Sequence, residues 1–204
     1  MEPLSRKERE RLIRKQEIMK ASARLFAEKG FASTTLEEIA VNAEYGTGTI
    51  YNYFENKEQI ITSIIESVFE ANIAFSEKAD NQARDVVEFL ELYIRGAFQY
   101  FFENKEEMIL MARYFITTPP DENKAIVLLR NKQESILRKR LTDGIKKKEI
   151  RNLDPEKLFF LTHSLIYPYI TLLVRHNKLS SQNVDEHLSF LLDLFFNGIK
   201  KNPK

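Results

Sequence analysis

The chain has 204 residues, with 31 lysines and arginines against 30 aspartates and glutamates, three histidines, and neither cysteine nor tryptophan. The lack of cysteine excludes a disulfide framework and thiolate chemistry, and no apolar run reaches the roughly 18 residues a membrane span needs, so no membrane partner is expected. The charged start Met1-Glu2-Pro3-Leu4-Ser5-Arg6-Lys7-Glu8 lacks the apolar stretch of a secretory signal, which makes the cytoplasm the expected compartment.

Only 6 glycines and 6 prolines accompany 43% hydrophobic residues. This depletion of turn formers favours long helices over a many-stranded β fold, so the expected fold class is all-α. Helix starts are marked where a polar residue is followed three positions later by Glu or Gln, because the two side chains then satisfy orphan backbone N–H groups reciprocally. Ser5 with Glu8, Thr35 with Glu38, Asn56 with Gln59, Asp85 with Glu88, Asn104 with Glu107 and Asn183 with Glu186 have this spacing. Asp154-Pro155-Glu156 adds a start with proline at the first helical position, and Pro119-Pro120-Asp121 breaks one helix and allows another. The pattern predicts helices near 8–29, 36–43, 47–53, 57–79, 86–103, 105–116, 122–149, 155–177 and 184–200.

In the first of these, Leu12, Gln16, Met19, Ala23 and Phe26 recur at three- and four-residue steps, which predicts an inward stripe. Residues 1–30 carry nine lysines and arginines against five glutamates, so local positive charge concentrates where the overall balance hides it. The basic residues from Arg6 to Lys15 form either a solvated helix face or an arm that reaches DNA. Gly30 suits the left-handed position that ends a helix.

The stretch from Thr35 to Phe54 has the logic of two short helices crossing around a tight turn. Small Ala40 permits close approach, and Ile39, Tyr45, Ile50 and Phe54 are spaced to close a small core with the first helix. Thr47, Thr49, Tyr51 and Asn52 are left facing outward. Thr and Tyr hydroxyls can hold phosphates, and an Asn amide can pair with an adenine edge in the major groove.

Further along, residues 86–115 are dense in large apolar groups, among them Phe89, Tyr93, Phe101, Tyr114 and Phe115. Such density requires a thick helical core, and part of it can line a cavity in which Arg113, His163 and Tyr167 orient a guest. The last two helices carry Leu165, Tyr169 and Leu172, then Leu188, Leu191 and Phe195, on apolar faces wider than one inward stripe needs. Either they only close the subunit's own core, or they form a two-fold interface with a second copy. No phosphate-cradling glycine loop or zinc-like histidine pair is present, and the three histidines lie in no nucleophile motif, so neither an enzyme nor a metal or other cofactor is expected.

Phe26-Ala27-Glu28-Lys29-Gly30-Phe31, then Thr34-Thr35-Leu36-Glu37-Glu38-Ile39-Ala40, then Gly48-Thr49-Ile50-Tyr51-Asn52-Tyr53-Phe54-Glu55-Asn56-Lys57-Glu58 closely resembles the TetR family of transcriptional regulators. The resemblance covers about residues 10–65 and is architectural beyond them. It implies a helix-turn-helix DNA-binding domain over 1–56 and a helical ligand-binding and dimerisation domain over 57–204. By the same resemblance, Thr35 caps a helix beside a phosphate, and Thr47, Gly48 and Thr49 lie at the groove. Tyr51 and Asn52 meet bases or flanking phosphates, Tyr53 meets the backbone, and Lys57 meets a phosphate. The implied whole is a homodimeric repressor on pseudo-palindromic operator DNA, released by a small, largely apolar or aromatic effector. Its pocket is expected around Phe89, Tyr93, Phe101, Arg113, Tyr114, His163 and Tyr167, and its dimer interface around Leu165, Tyr169, Leu172, Leu188, Leu191 and Phe195. One departure is Glu44, where the family often has glycine in the turn. A ligand carrier or adaptor without DNA binding is the competing reading, and the intact Thr47, Thr49, Tyr51, Asn52 and Lys57 argue against it.

Overall fold

The computed structural model describes residues 4–117, 123–176, 178, 180 and 182–199. In chain order these hold α1 (Arg6–Lys29), α2 (Leu36–Asn42), α3 (Thr47–Tyr51), α4 (Lys57–Gln82), α5 (Val86–Glu103), α6 (Lys105–Thr117), α7 (Lys124–Lys146), α8 (Pro155–Arg175) and α9 (Val184–Ile199), with no strand among the described residues. The fold is all-α, as expected. None of the described helices is long and apolar enough to cross a membrane.

The sequence caps are used largely as read. Ser5 and Thr35 form both halves of their capping boxes with Glu8 and Glu38, and Asn56, Asp85 and Asp154 accept from the backbone N–H groups of Gln59, Glu88 and Glu156 at 2.8, 2.8 and 2.9 Å. Two expected caps face the other way. The Asn104 amide donates back to the Tyr100 carbonyl at 2.9 Å and closes the end of α5. Asn183 accepts from Ser180 N–H at 2.8 Å and donates to the Lys178 carbonyl at 2.7 Å. The start of α7 is capped by Asn123, which accepts from Ala125 and Ile126 N–H; Asp121 lies outside the described residues.

The chain divides into two compact units, one of Met1–Val68 with Glu106–Pro119, the other of Phe69–Lys105 with Pro120–Lys204. The division falls inside α4 rather than before Lys57, and α6 belongs with the N-terminal unit. In that first unit Ile18, Met19, Ala23, Leu25 and Phe26 of α1 pack with Ile39 and Ala40 of α2, Ile50 and Phe54, Ile60 and Ile64 of α4, and Leu110 of α6. The inward stripe of α1 therefore begins at Ile18. Leu12, expected inside, is 47% exposed and Gln16 is exposed as well, because the earlier turns of α1 hold no buried residue.

In the second unit α5 contacts α7, α8 and α9 and buries Val86, Phe89, Leu90, Tyr93, Ile94, Ala97, Phe98 and Phe101. A Cβ at Gly144 would stand 2.4 Å from Val86 Cγ1, so α7 approaches the start of α5 more closely than any side chain allows. Beside that contact, Arg140 closes the α4–α5 connection: Nη2 donates to the carbonyls of Ala83 and Asp85 at 3.1 and 3.3 Å, and Nε lies 3.1 Å from Asp80 Oδ1.

Candidate nucleic-acid interface

The turn that sets α3 against α2 is a Schellman arrangement. Glu44 N–H donates to Val41 O at 3.2 Å and Tyr45 N–H to Ala40 O at 2.9 Å, with Glu44 left-handed at φ 60. A side chain in that conformation costs about 1 kcal/mol, whereas glycine adopts it freely at the expense of a more flexible unfolded chain. Glu44→Gly is therefore expected to stabilise the first unit by roughly 0.5–1 kcal/mol, read as a higher urea midpoint at constant slope. An unchanged midpoint would mean that the glutamate side chain contributes as much as its strain costs. The next residue ties the turn to α1: the Tyr45 hydroxyl donates to the Glu17 carboxylate, and this bond raises the tyrosine's pKa.

With its base fixed in this way, α3 turns Ile50 and, just beyond it, Phe54 into the core, 0% and 1% exposed. Gly48, Tyr51 and Asn52 are exposed, while Thr47, Thr49 and Tyr53 are half-buried. The outward residues read from the sequence thus share one short helix and its end. Two cations of α1 join them: the Arg11 guanidinium lies 5.9 Å over the Tyr53 ring and the Lys15 ammonium 5.7 Å over that of Phe54. The sequence marked Arg11 and Lys15 only as part of a basic run, since nothing local says which way an unburied helical turn faces.

Thr35 is engaged in its cap, accepting from Glu38 N–H at 3.1 Å. Glu38 in turn accepts from Lys29 Nζ at 2.7 Å, and that bond leads the lowering of its pKa. Beside Tyr51, a groove of about 460 Å³ lies between the first turns of α2 and α4. Lys57, expected on a phosphate, has its ammonium on three backbone carbonyls, those of Phe31, Ala32 and Thr34.

The residues expected around an effector fall in both units. Phe89, Tyr93 and Phe101 are buried in the second, where the Phe89 and Tyr93 rings stack at 6.0 Å and the Tyr93 hydroxyl accepts from Gln133 Nε2 at 2.9 Å. His163 packs on Phe159 at 4.6 Å, and burial, then the nearby Arg138 cation, pushes its pKa down to about 4, so it is neutral near pH 7. Arg113 and Tyr114 belong instead to the first unit, where Arg113 Nη1 donates to Ala27 O at 3.2 Å. The side chain of Tyr167 lies outside the described residues. Gln133, only 3% exposed, carried no sequence signal because it stands in a run of charged and polar residues.

The expected dimer residues divide too. Leu188, Leu191 and Phe195 are 5%, 3% and 3% exposed within the single subunit. Within the subunit they are buried in its own core. Leu165 and Tyr169 are half-buried, Tyr169 with its hydroxyl 2.9 Å from His187 Nδ1. Leu172 is 51% exposed, and with it Phe160, Leu161, Phe190 and Leu194 leave large apolar side chains uncovered on α8 and α9.

Residues 18–64 match the sequence profile of the family described as "Bacterial regulatory proteins, tetR family". Over 186 residues the chain is 28% identical to the HTH-type transcriptional regulator YhgD of Bacillus subtilis (strain 168), covering 89% of this chain and 94% of that protein. Among solved structures it is similar to the TetR family transcriptional regulator PfmR from Thermus thermophilus, with a TM-score of 0.75, 23% identity, and 91% and 96% of the two chains covered. It is also similar to the transcriptional regulator FadR from Bacillus subtilis in complex with stearoyl-CoA, with a TM-score of 0.72, 24% identity, and 87% and 97% covered. At these identities the likeness to solved structures shows the fold.

Proposed function

The chain belongs to the TetR family of helix-turn-helix transcriptional regulators, and on that premise we propose that it is a repressor that binds a pseudo-palindromic operator as a homodimer and leaves it when a small, largely apolar molecule occupies the second unit. The observation that carries the reading is the division of α3 and its end, with Ile50 and Phe54 locked in the core while Tyr51 and Asn52 stand exposed. A helix held so firmly by one face presents the other to a groove without paying for its own ordering on contact.

Dimerisation is supported by the uncovered Phe160, Leu161, Leu172, Phe190 and Leu194 of α8 and α9, since exposed large apolar side chains are what an isologous interface buries. An apolar effector is supported by the aromatic side chains that α5 turns inward, with Gln133 and neutral His163 able to orient a polar end. FadR of Bacillus subtilis, which shares the fold, binds stearoyl-CoA, whose long alkyl chain is of that chemical class. An effector coupled to DNA by about 1–3 kcal/mol would lower operator affinity roughly 5–150-fold, and the operator would weaken the effector by the same factor.

The test is to let the protein select a duplex from a randomised pool and then to measure Asn52→Ala on it. If Asn52 reads a base, the variant loses about 1–3 kcal/mol on the selected duplex and relaxes preference at one position. Equal losses on selected and random DNA would move Asn52 to the backbone, and failure to enrich any duplex would defeat the DNA-binding reading.

A further inference from the structure

Lys57 is the first residue of α4, and its ammonium lies 2.5 Å from the Thr34 carbonyl, 2.9 Å from that of Phe31 and 3.4 Å from that of Ala32. The same group sits 5.0 Å over the Phe31 ring. An ammonium has three N–H donors, and three carbonyls take them all. These carbonyls converge because the α1–α2 turn is bent at Gly30, φ 87, and held by the Thr34 hydroxyl donating to Gly30 O at 2.9 Å, with Thr34 only 1% exposed. The turn is thus a backbone cradle for a cation, and α4 supplies the cation. To hold a phosphate, Lys57 would have to leave all three acceptors and the ring.

We propose that Lys57 is a positioning residue for operator binding that touches no phosphate: it pins the first turn of α4 to the turn that delivers α2, and through α2 the reading helix α3. The inference rests on the DNA-binding reading above and departs from the phosphate contact that family resemblance implies for this position. Methionine keeps the apolar stem and removes the donors. Arginine keeps the charge and binds phosphate at least as well as lysine, but its planar fork does not match three converging carbonyls.

The experiment compares wild type, Lys57→Met and Lys57→Arg on the duplex that the wild type selects from a randomised pool, over a range of salt, at a temperature where circular dichroism shows each variant folded. If methionine unfolds the chain, Lys57→Gln, whose amide still reaches part of the cradle, takes its place. Both substitutions should weaken binding roughly tenfold or more. The slope of log affinity against log salt should stay within about 0.3 of wild type, because no phosphate partner is lost. Wild-type affinity for Lys57→Arg, together with a slope shallower by about 0.9 for Lys57→Met, would assign a phosphate contact and overturn the proposal. Wild-type affinity in both folded variants would also overturn it, leaving the residue a role in stability alone. If the wild type selects no duplex, the DNA-binding reading fails first and visibly, and the inference falls with it.

Discussion

Leu172→Glu combined with Phe190→Glu is expected to leave a folded monomer that has lost roughly 10²–10³-fold in operator affinity. Both side chains are mostly exposed in the subunit, 51% and 58%, so the changes remove little from its own core, and glutamate is a good helix former. In a two-fold interface each substitution acts twice, and four carboxylates facing one another without partners would oppose association by several kcal/mol. A monomer reaches one half-site at a time and loses the gain that comes from tethering the second. Sedimentation at micromolar concentration and binding to the selected duplex read the two effects. Leu188→Glu supplies the contrast: at 5% exposure it buries a charge inside the subunit, and its expected result is loss of helical signal rather than dissociation of a folded chain. A dimer that survives the double change would place the interface elsewhere than on the uncovered faces of α8 and α9.

The second large effect is at Phe54. It is 1% exposed and shares its core with Ile18, Phe26, Ile39, Ile50 and Ile60, so truncation to alanine removes a ring from the meeting point of α1, α2, α3 and α4. Large-to-small changes of this kind cost about 3–5 kcal/mol, much of the stability of a small domain. Phe54→Ala is therefore expected to abolish operator binding by opening the first unit, although Phe54 is itself among the least accessible residues of the reading segment. Hydrogen exchange checks the assignment. Peptides covering residues 18–64 should lose protection while those from α5 keep theirs, and full protection throughout would show that the cavity is tolerated. The effect differs in kind from Asn52→Ala, which should leave protection unchanged and alter only what DNA is bound.

The parts of this protein that the sequence determined are those in which each residue answers to neighbours within about four positions. Ser5, Thr35, Asn56, Asp85 and Asp154 cap the helices they were expected to cap, because a cap needs only a side chain and a backbone N–H two or three residues on. The reading segment was legible for the same reason: Ile39, Ile50 and Phe54 lie inward and Tyr51 and Asn52 outward within one short stretch. Periodicity reveals that an apolar stripe exists but not what it meets, and there the tertiary structure decided. In α1 the buried stripe starts at Ile18, and Leu12 stays 47% exposed. In α9 both faces are apolar, and packing within the subunit claims Leu188, Leu191 and Phe195, leaving Phe190 and Leu194 exposed. Compactness likewise sets the unit boundary inside α4 and assigns α6, with Arg113 and Tyr114, to the first unit. The environment of Lys57 was the least legible of all, because three carbonyls from residues more than twenty positions earlier meet at its ammonium only once the α1–α2 turn has folded against the start of α4.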